Sequence, residues 1–454
     1  MKVNKTINRQ ESADFKRLIE LCMANPAWQE AFLKKPQEWL DRNGLKLPVE
    51  MSLEAIRIMG CTDMEQRQAN PYVREYDALV GNIHDIYRKA TSFDKFSDSR
   101  FLAWYKRQVN RYKFQSSISR HQAGLFYIPV TFELSDGCSI KCPFCCLAAK
   151  ELSAVFPYTE ENREFWRGLL LSTQEMIGSI ANVSICYFAT EPFDNPDYEK
   201  FLSDFYSLFG RFPQTTTAAS VKNVQRTKEF LKLLGEEQLK QGALRFSVVS
   251  LEQLQRIHKE FTSQELEFVE LLMNNKESVC AYSKSGRSIE LAKVYKEKKF
   301  LDNVSCICTC GFIVNLPRRE IMLEAPHRPD NAHPLGMRVY EKRGFRDVTE
   351  YQTVLQEMIA KWMPVDMPED KPLHPAAYIT WQQDGYKLKA RGDKASRTVS
   401  MSIKEQRCFE MLLKQKASLQ ELYKIGRMTE FERQKLKEKL VIFYNAGYLE
   451  ELNN

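Results

Sequence analysis

The chain has 454 residues, a net charge of +7, and ordinary shares of hydrophobic (43%) and charged (28%) residues. That length exceeds one compact core, so we expect two or three domains. No run of about 18 apolar residues occurs and the start lacks the apolar core of a secretory signal, so we expect a cytoplasmic protein without a membrane partner.

Charge and cysteine usage narrow the class further. Lysine and arginine are spread along the chain rather than clustered, which argues against a nucleic-acid partner. In a reducing compartment the 12 cysteines indicate metal binding or catalysis rather than disulfides.

Residues 1–125 are predicted to be helical. Apolar residues recur there at helical spacing, Asn25-Pro26 is a helix start signal, and Gly44 is a helix end signal.

Residues 126–320 alternate between strand-like and helix-like segments. The strand candidates are "FYIPVTFEL", "NVSICYFAT", "PQTTTAAS", "ALRFSVVS" and "CGFIVNL". This alternation predicts an α/β fold with parallel strands, either an open sheet or a partial barrel, in which function lies at the carboxyl ends of the strands.

Residues 321–454 change character. A proline-rich connector precedes a predicted hairpin, "YITWQQDGYKLKA", with Asp384-Gly385 as its turn. Short helices follow from Ile403, and together they predict a small winged-helix-like module.

A cysteine array lies directly after the first predicted strand. Cys138, Cys142 and Cys145 form a C-x3-C-x2-C pattern, and Cys146 directly follows the last of them. Structural zinc sites usually need four ligands, and two adjacent cysteines rarely face one metal. Three thiolates on an iron–sulfur cubane leave one iron without a protein ligand. Zinc and an iron–sulfur cluster therefore both remain open.

This array resembles the signature of the radical S-adenosylmethionine superfamily, in which an aromatic residue commonly precedes the third cysteine, as Phe144 does here. The resemblance covers residues 126–315 and implies a partial (β/α)6-type barrel. It also implies a [4Fe-4S] cluster on the three cysteines, S-adenosylmethionine on the open iron, and an external electron donor.

Two further segments extend the resemblance. "FATEPFDNP" retains the glutamate and proline of a turn that contacts the methionine amino group, which implies that Glu191 binds the cofactor. "RFSVVS" supplies Ser247 and Ser250 where family members bind the ribose and carboxylate. The alternatives are an exposed loop glutamate and two ordinary serines.

The flanking regions resemble parts of enzymes that modify ribosomally made peptides. Residues 15–48 are similar to the helical leader peptides of the nitrile-hydratase and related types, although a packed helical domain has the same pattern. Residues 311–347 look like the region that follows the core in peptide maturases. The resemblance implies a proteusin-type peptidyl epimerase, which converts L-residues to D-residues, with a leader-bearing precursor peptide as its partner.

Epimerisation requires a donor that returns a hydrogen atom to Cα from the opposite face, and family members use a cysteine thiol. "VSCICTCGFIVN" offers Cys310, Cys308 and Cys306, in that order of preference, and a spacing of two predicts that they share one strand face. The alternatives are buried packing residues and an auxiliary metal site. Sibling maturases that excise a backbone fragment or form a crosslink are the closest rivals, and an excising enzyme needs no such donor. A zinc-stabilised binding protein is a rival of another class.

Overall fold

The structure, a computed structural model, describes residues 7–116, 126–393, 395–415 and 417–451. Helices dominate its first segment, so the helical prediction is confirmed there; residues 1–6 and 117–125 of the predicted region lie outside the described residues. The helices are α1 (Arg9–Ala24), α2 (Pro26–Lys34), α3 (Pro36–Arg42), α4 (Val49–Met59), α5 (Met64–Ala69), α6 (Pro71–Ala90) and α7 (Ser99–Gln115).

The predicted end signals act as expected in this segment. The Asn25 side chain accepts a hydrogen bond from the Ala27 N–H, and Pro26 occupies the first position of α2. Gly44 lies just beyond α3 with a φ of +67°, the left-handed conformation that ends many helices.

The middle of the chain alternates strands and helices. In order, it contains β1 (Ile128–Glu133), β2 (Ser135–Asp136), β3 (Ala154–Val155), α8 (Glu160–Ile177), α9 (Tyr198–Phe209), β4 (Thr215–Thr217), α10 (Val224–Lys240), β5 (Leu244–Val248), α11 (Leu251–Glu260), β6 (Glu270–Met273), β7 (Tyr282–Ser283), α12 (Ser288–Val294), β8 (Phe300–Leu301) and β9 (Thr309–Asn315). The antiparallel β10 (Glu320–Pro326) and β11 (Met337–Gly344) and then α13 (Val348–Trp362) follow.

Parallel pairing joins most strands of the alternating region, as predicted, although the short β2 and β3 pair antiparallel. The order β4-β5-β6 forms one parallel sheet, and β1 pairs in parallel with β9 in the order β1-β9-β10-β11. The predicted strand at 182–190 is wrong except for one parallel bridge between Thr131 and Ile185, because a 3-10 helix at Ser179–Val183 occupies its start. The described residues form several small sheets and no closed barrel, so the (β/α)6 arrangement stays a prediction.

The C-terminal region contains β12 (Leu373–Pro375), β13 (Thr380–Asp384), β14 (Lys387–Arg391), β15 (Ser396–Ser400), α14 (Ile403–Gln415), α15 (Leu419–Ile425), α16 (Glu430–Asn445) and β16 (Leu449–Glu451). A three-stranded antiparallel sheet therefore precedes three helices, and β16 returns to pair with β12. The predicted hairpin is present, but Asp384 pairs with Lys387, so its loop is Gly385–Tyr386, one residue later than predicted.

Two hydrophobic clusters make up the interior. The first runs from Phe15 to Met363 and packs the N-terminal helices against the strands of the alternating region. The second contains Phe114 and buried residues between Met367 and Leu449. Along the chain, the first cluster gives way to the second near residue 365. The sequence predicts the boundary between the alternating region and the C-terminal region earlier, at residue 320.

None of the helices in the described ranges combines the length and the apolar character that a membrane span requires.

Candidate functional site

The cysteine array lies in a loop whose base is closed by the short β2–β3 ladder. Gly137 enters this loop with a φ of +86°, and a Cβ there would lie 2.2 Å from the carbonyl oxygen of Glu151, so only glycine fits. The next residue, Cys138, donates its N–H to the Lys150 carbonyl at 2.9 Å. The cysteines are therefore held at the carboxyl end of β1, where the sequence predicts chemistry.

Arg287 fixes the far part of the cysteine loop. Its N–H donates to the Cys145 carbonyl at 2.9 Å, its Nε to the Cys142 carbonyl at 3.1 Å, and its Nη1 to the Ala149 carbonyl at 3.0 Å. Gly286 makes this approach possible, since a Cβ there would lie 2.3 Å from the Cys146 carbonyl oxygen. No signal near residue 287 identifies this role in the sequence, because the contacts span about 140 residues.

The cysteine loop forms one wall of a cleft of about 350 Å³. The residues that line it include Cys138, Cys142, Phe144, Cys145, Cys146, Tyr187, Glu191, Thr216, Ser247, Asn274, Tyr282 and Cys306. The Phe144 ring stacks on Tyr282 with centroids 5.3 Å apart, which fixes the aromatic residue within the array. The three array cysteines are half-buried, so their sulfurs are accessible from the cleft.

The spacing of the sulfurs bears on the choice of metal. In a tetrahedral zinc site with Zn–S bonds of about 2.3 Å, sulfurs lie about 3.8 Å apart. The array cysteines are not among the groups of described residues whose ligand atoms all lie within 4.8 Å of one another. Their sulfurs would have to move closer together to share one zinc ion, and zinc and a cluster both remain open as the group that the array binds.

Burial raises the pKa of the Cys138 thiol, and it raises the pKa of Cys142 to about 12 with a further contribution from Cys138 and Cys145. Since metals bind thiolates, loading a metal or cluster at this site must release protons. A bound cation would therefore favour the charged forms of the Cys138 and Cys142 thiols, whose pKa values burial raises.

Glu191 lies inside the cleft and is 3% exposed, so the exposed-loop alternative is wrong. One carboxylate oxygen accepts hydrogen bonds from the Thr217 hydroxyl and the Phe193 N–H, and the other accepts from the Ala218 N–H at 2.9 Å. Burial raises the pKa of Glu191 to about 7. Because a carboxylate offers about four lone-pair positions, one remains for an ammonium group.

The two predicted serines separate in the structure. Ser247 lines the cleft and accepts a hydrogen bond at 2.9 Å from Asn274, a lining residue that the sequence did not indicate. Ser250 instead caps α11 by accepting the Gln253 N–H, and it is not among the described residues that line the cleft.

The three donor candidates do not share one strand face, so that prediction is wrong. The strand β9 begins at Thr309, and Cys306 and Cys308 precede it. A bulge in the pairing with β1 follows, where Gly311 comes so close that a Cβ would lie 2.1 Å from the Pro129 carbonyl oxygen. The extra residue of a bulge interrupts the alternation on which the prediction depended.

The candidates consequently differ in access to the cleft. Cys310, the first choice from the sequence, is 0% exposed and lies within the hydrophobic core, whereas Cys308 is half-buried. Cys306 lines the cleft together with the array cysteines. Geometry therefore reverses the order of preference.

Cys306 forms a disulfide with Cys146, and the two Cα atoms lie 6.6 Å apart. The expectation that disulfides are absent is therefore wrong for this pair. The bond joins the cysteine loop to the segment before β9 across 160 residues of chain, a proximity that no local pattern reveals.

A second groove of about 410 Å³ adjoins the cleft and shares Leu147, Ala149, Phe188 and Ala189 with it. Its lining is apolar at Ile313, Met322, Met337 and Val339 and charged at Lys150, Arg318, Glu320 and Lys342. The groove and the cleft are therefore neighbouring cavities of mixed polarity that share part of their walls.

Comparisons with known proteins add one relative. No family model matches the chain. An uncharacterised protein of Sinorhizobium fredii, y4wI, is 34% identical over 287 residues, which cover 61% of this chain and 54% of the relative. The chain thus spans about half the length of the curated relative that it matches. No solved structure matches.

Proposed function

We propose that this chain is a radical S-adenosylmethionine enzyme that converts L-residues to D-residues in a ribosomally made precursor peptide. One observation carries the proposal: the three array cysteines and a fourth cysteine, Cys306, line the same cleft. The half-buried thiol array would supply the ligands for a cluster, and Cys306 would supply a hydrogen donor once its disulfide with Cys146 is reduced.

Different residues of the cleft would bind the cluster and the cofactor. Cys138, Cys142 and Cys145 would hold a [4Fe-4S] cluster, and Glu191 and Ser247 would orient S-adenosylmethionine. When bound and supplied with an electron by an external donor, the cluster and S-adenosylmethionine would provide the radical chemistry that removes a hydrogen atom from Cα of the peptide. The adjoining groove would hold the peptide in an extended form.

Cys306 would then return a hydrogen atom to the opposite face of Cα, and the thiyl radical left on its sulfur would take one electron from the external electron donor and one proton from solvent to restore the thiol. It does so as a thiol, so the disulfide with Cys146 must first be reduced; an external dithiol supplies the two electrons and two protons, and is itself oxidised to a disulfide. A sibling maturase that excises a fragment or forms a crosslink is the second candidate. The disulfide favours that candidate, because it leaves no free thiol beside the cluster cysteines.

The C-terminal module is the candidate for leader recognition. In the order β13-β14-β15 the last strand is an edge, and an extended peptide adds to such an edge through backbone hydrogen bonds. Next to it, a groove of about 460 Å³ lies between the end of β15, α14 and α16 and carries the exposed rings of Tyr386 and Phe431.

The test is coexpression with a candidate precursor in deuterated water, followed by tandem mass spectrometry. Epimerisation adds one deuterium at Cα and makes no other mass change, because a thiol proton exchanges with solvent. Loss of a backbone fragment or of hydrogens would instead establish the sibling activities. A colourless protein that contains zinc and no iron at the array would establish the binding protein.

Single variants then identify the donor. Cys306→Ala should abolish deuterium incorporation while 5′-deoxyadenosine continues to form, because hydrogen removal does not need the donor. Cys310→Ala is the matched control, because Cys310 is buried in the hydrophobic core and does not line the cleft. This variant should still incorporate deuterium at Cα. Retained epimerisation in Cys306→Ala would reject Cys306 as the donor.

A further inference from the structure

A second cluster of ligand-type side chains lies outside the cleft, in the loop between β10 and β11. His327, Asp330 and His333 each direct one potential ligand atom to a common point, and these atoms all lie within 4.8 Å of one another. From this convergence we propose that the loop binds a divalent transition-metal ion of the Zn²⁺ class through His327, Asp330 and His333.

The ring of His327 is held in the form that a metal requires. The side chain is 4% exposed, and its Nδ1 lies 2.7 Å from the Arg328 carbonyl oxygen. A carbonyl only accepts, so Nδ1 carries the proton and Nε2 keeps its lone pair. Metal-binding histidines are commonly oriented by this kind of bond to a carbonyl.

Asp330 is oriented from two sides. One carboxylate oxygen accepts the Tyr378 hydroxyl at 2.6 Å, and the other accepts the His333 N–H at 2.7 Å and lies 3.0 Å from His333 Nδ1. The rings of His327 and His333 face each other with centroids 3.9 Å apart.

The donor set selects the class of metal. Two imidazoles and one carboxylate suit zinc, iron or cobalt, whereas calcium and magnesium prefer oxygen ligands alone. The side chains of Asp330 and His333 are 23% and 27% exposed, which leaves an entry path and room for a water molecule as a further ligand.

The position of the loop indicates a structural role. Its Pro334 carbonyl accepts the N–H of Gly286, the residue that lies against the cysteine loop, and its Gly336 carbonyl accepts the Ser305 hydroxyl at 2.6 Å beside Cys306. Tyr378 belongs to the C-terminal region. A metal here would fix three parts of the chain around one loop.

The test measures metal in the whole 454-residue chain after reconstitution with iron and sulfide. After chelation and buffer exchange, Zn²⁺ is added, and bound zinc and iron are counted separately by elemental analysis. We expect one zinc per chain, and at least a tenfold weaker affinity in His333→Gln and Asp330→Asn. Tyr378→Phe, which removes only an orienting bond, should weaken binding about 10-fold to 100-fold.

The matched control is His374→Gln. The ring of His374 also lies next to a carbonyl, that of Pro375 at 2.9 Å, but it belongs to no ligand group among the described residues. This variant should bind zinc as the unaltered protein does. The proposal would be overturned if the protein bound no zinc, or if His333→Gln and Asp330→Asn bound zinc as tightly as the unaltered protein. It would also be overturned if zinc binding were lost only when Cys142 is replaced. Co²⁺ separates the sites independently, because only cysteine ligands give thiolate-to-cobalt charge-transfer absorption.

Discussion

Glu324 in β10 is buried, and neither of its carboxylate oxygens has a hydrogen-bond partner among the described residues. Burial raises the pKa of this carboxyl group well above its ordinary value, so folding favours its protonated form. In the unfolded chain the same group ionises at about pH 4.3. Above that pH folding must therefore take up protons at this group, which costs stability.

We expect Glu324→Gln to stabilise the protein increasingly as pH rises. When the pKa of a group is higher in the folded state, its full contribution to the free energy of unfolding is present below its unfolded pKa. Above that pKa the contribution falls by up to about 1.4 kcal/mol per pH unit. The glutamine variant lacks this loss, so it should match the unaltered protein near pH 4 and exceed it at pH 8. Urea unfolding between these values checks the difference.

Glu320→Gln is the control for this prediction, because Glu320 pairs with Lys342 in the same sheet and is not buried. Its unfolding free energy should follow that of the unaltered protein across the pH range. A stabilisation by Glu324→Gln that is equal at every pH would contradict the account.

Gly286 illustrates how one missing Cβ fixes the cysteine loop. It has a φ of +53°, and Gly385 in the C-terminal hairpin has a φ of +55° with nothing within 4 Å of its Cβ position. Alanine at either position incurs the cost of left-handed backbone, about 1 kcal/mol. Only at Gly286 does alanine also collide with the Cys146 carbonyl.

We therefore expect Gly286→Ala to lower the iron content of the reconstituted protein several-fold, and Gly385→Ala to leave it unchanged. Iron per chain by elemental analysis measures the effect, and thermal unfolding verifies that both variants fold. Equal iron in the two variants would mean that the cysteine loop does not depend on its contact with Gly286.

At the scale of elements, the sequence predicts those helix ends and strands that depend only on neighbouring residues. Asn25-Pro26 and Gly44 act as helix ends, and the strand patterns at β1, β4, β5 and β9 are confirmed. The position of the cysteine array after β1 is likewise as predicted. Each of these features depends on residues within one turn or one strand.

Distant contacts decide the features that the sequence did not reveal. The bulge at Gly311 depends on the approach of Pro129, and the disulfide joins Cys146 to Cys306. Arg287 acts on carbonyls of the cysteine loop about 140 residues earlier. The order of the donor candidates changed for this reason, since a spacing of two indicates one face only in an unbulged strand.

The groove beside β15 gives a prediction at this scale. The Phe431 side chain is 72% exposed and lines that groove, so Phe431→Ser should not lower stability but should weaken leader binding about tenfold if the groove holds the leader. Fluorescence anisotropy with a labelled leader peptide measures this. Phe93→Ser, 52% exposed in the N-terminal region, is the control; equal affinities in the two variants would exclude the groove.

At the scale of the molecule, one buried carboxylate joins the C-terminal module to the remainder of the chain. Glu450 in β16 accepts hydrogen bonds from Arg111 of α7 and Arg338 of β11. Although burial opposes ionisation, these two guanidinium groups lower the pKa of Glu450 to about 2. The carboxylate of Glu450 thus compensates the charges of the two arginines at the junction between the two hydrophobic clusters.

Glu450→Gln should destabilise the protein by about 3–5 kcal/mol at pH 7, because it leaves two cations without their shared partner. A carboxyl group whose pKa is lower in the folded state stabilises the fold above its unfolded pKa, and this stabilisation is lost as the pH falls through the folded pKa. The difference in unfolding free energy between the variant and the unaltered protein should therefore shrink between pH 4.5 and 2. Urea unfolding measures it, with Glu438→Gln, an exposed residue of α16, as the control. A difference that does not vary with pH would contradict the pairing.

The edge of the parallel sheet has a consequence for experiments on the leader-like N-terminus. The outer strand, β6, is covered by α1: Lys16 donates to the Val269 carbonyl at 2.7 Å, and Glu20 accepts a backbone hydrogen bond from Leu271. An uncovered strand edge recruits strands from other molecules. Deleting α1 to ask whether it binds substrate would therefore produce self-association, and lost activity in such a truncation would report aggregation rather than recognition.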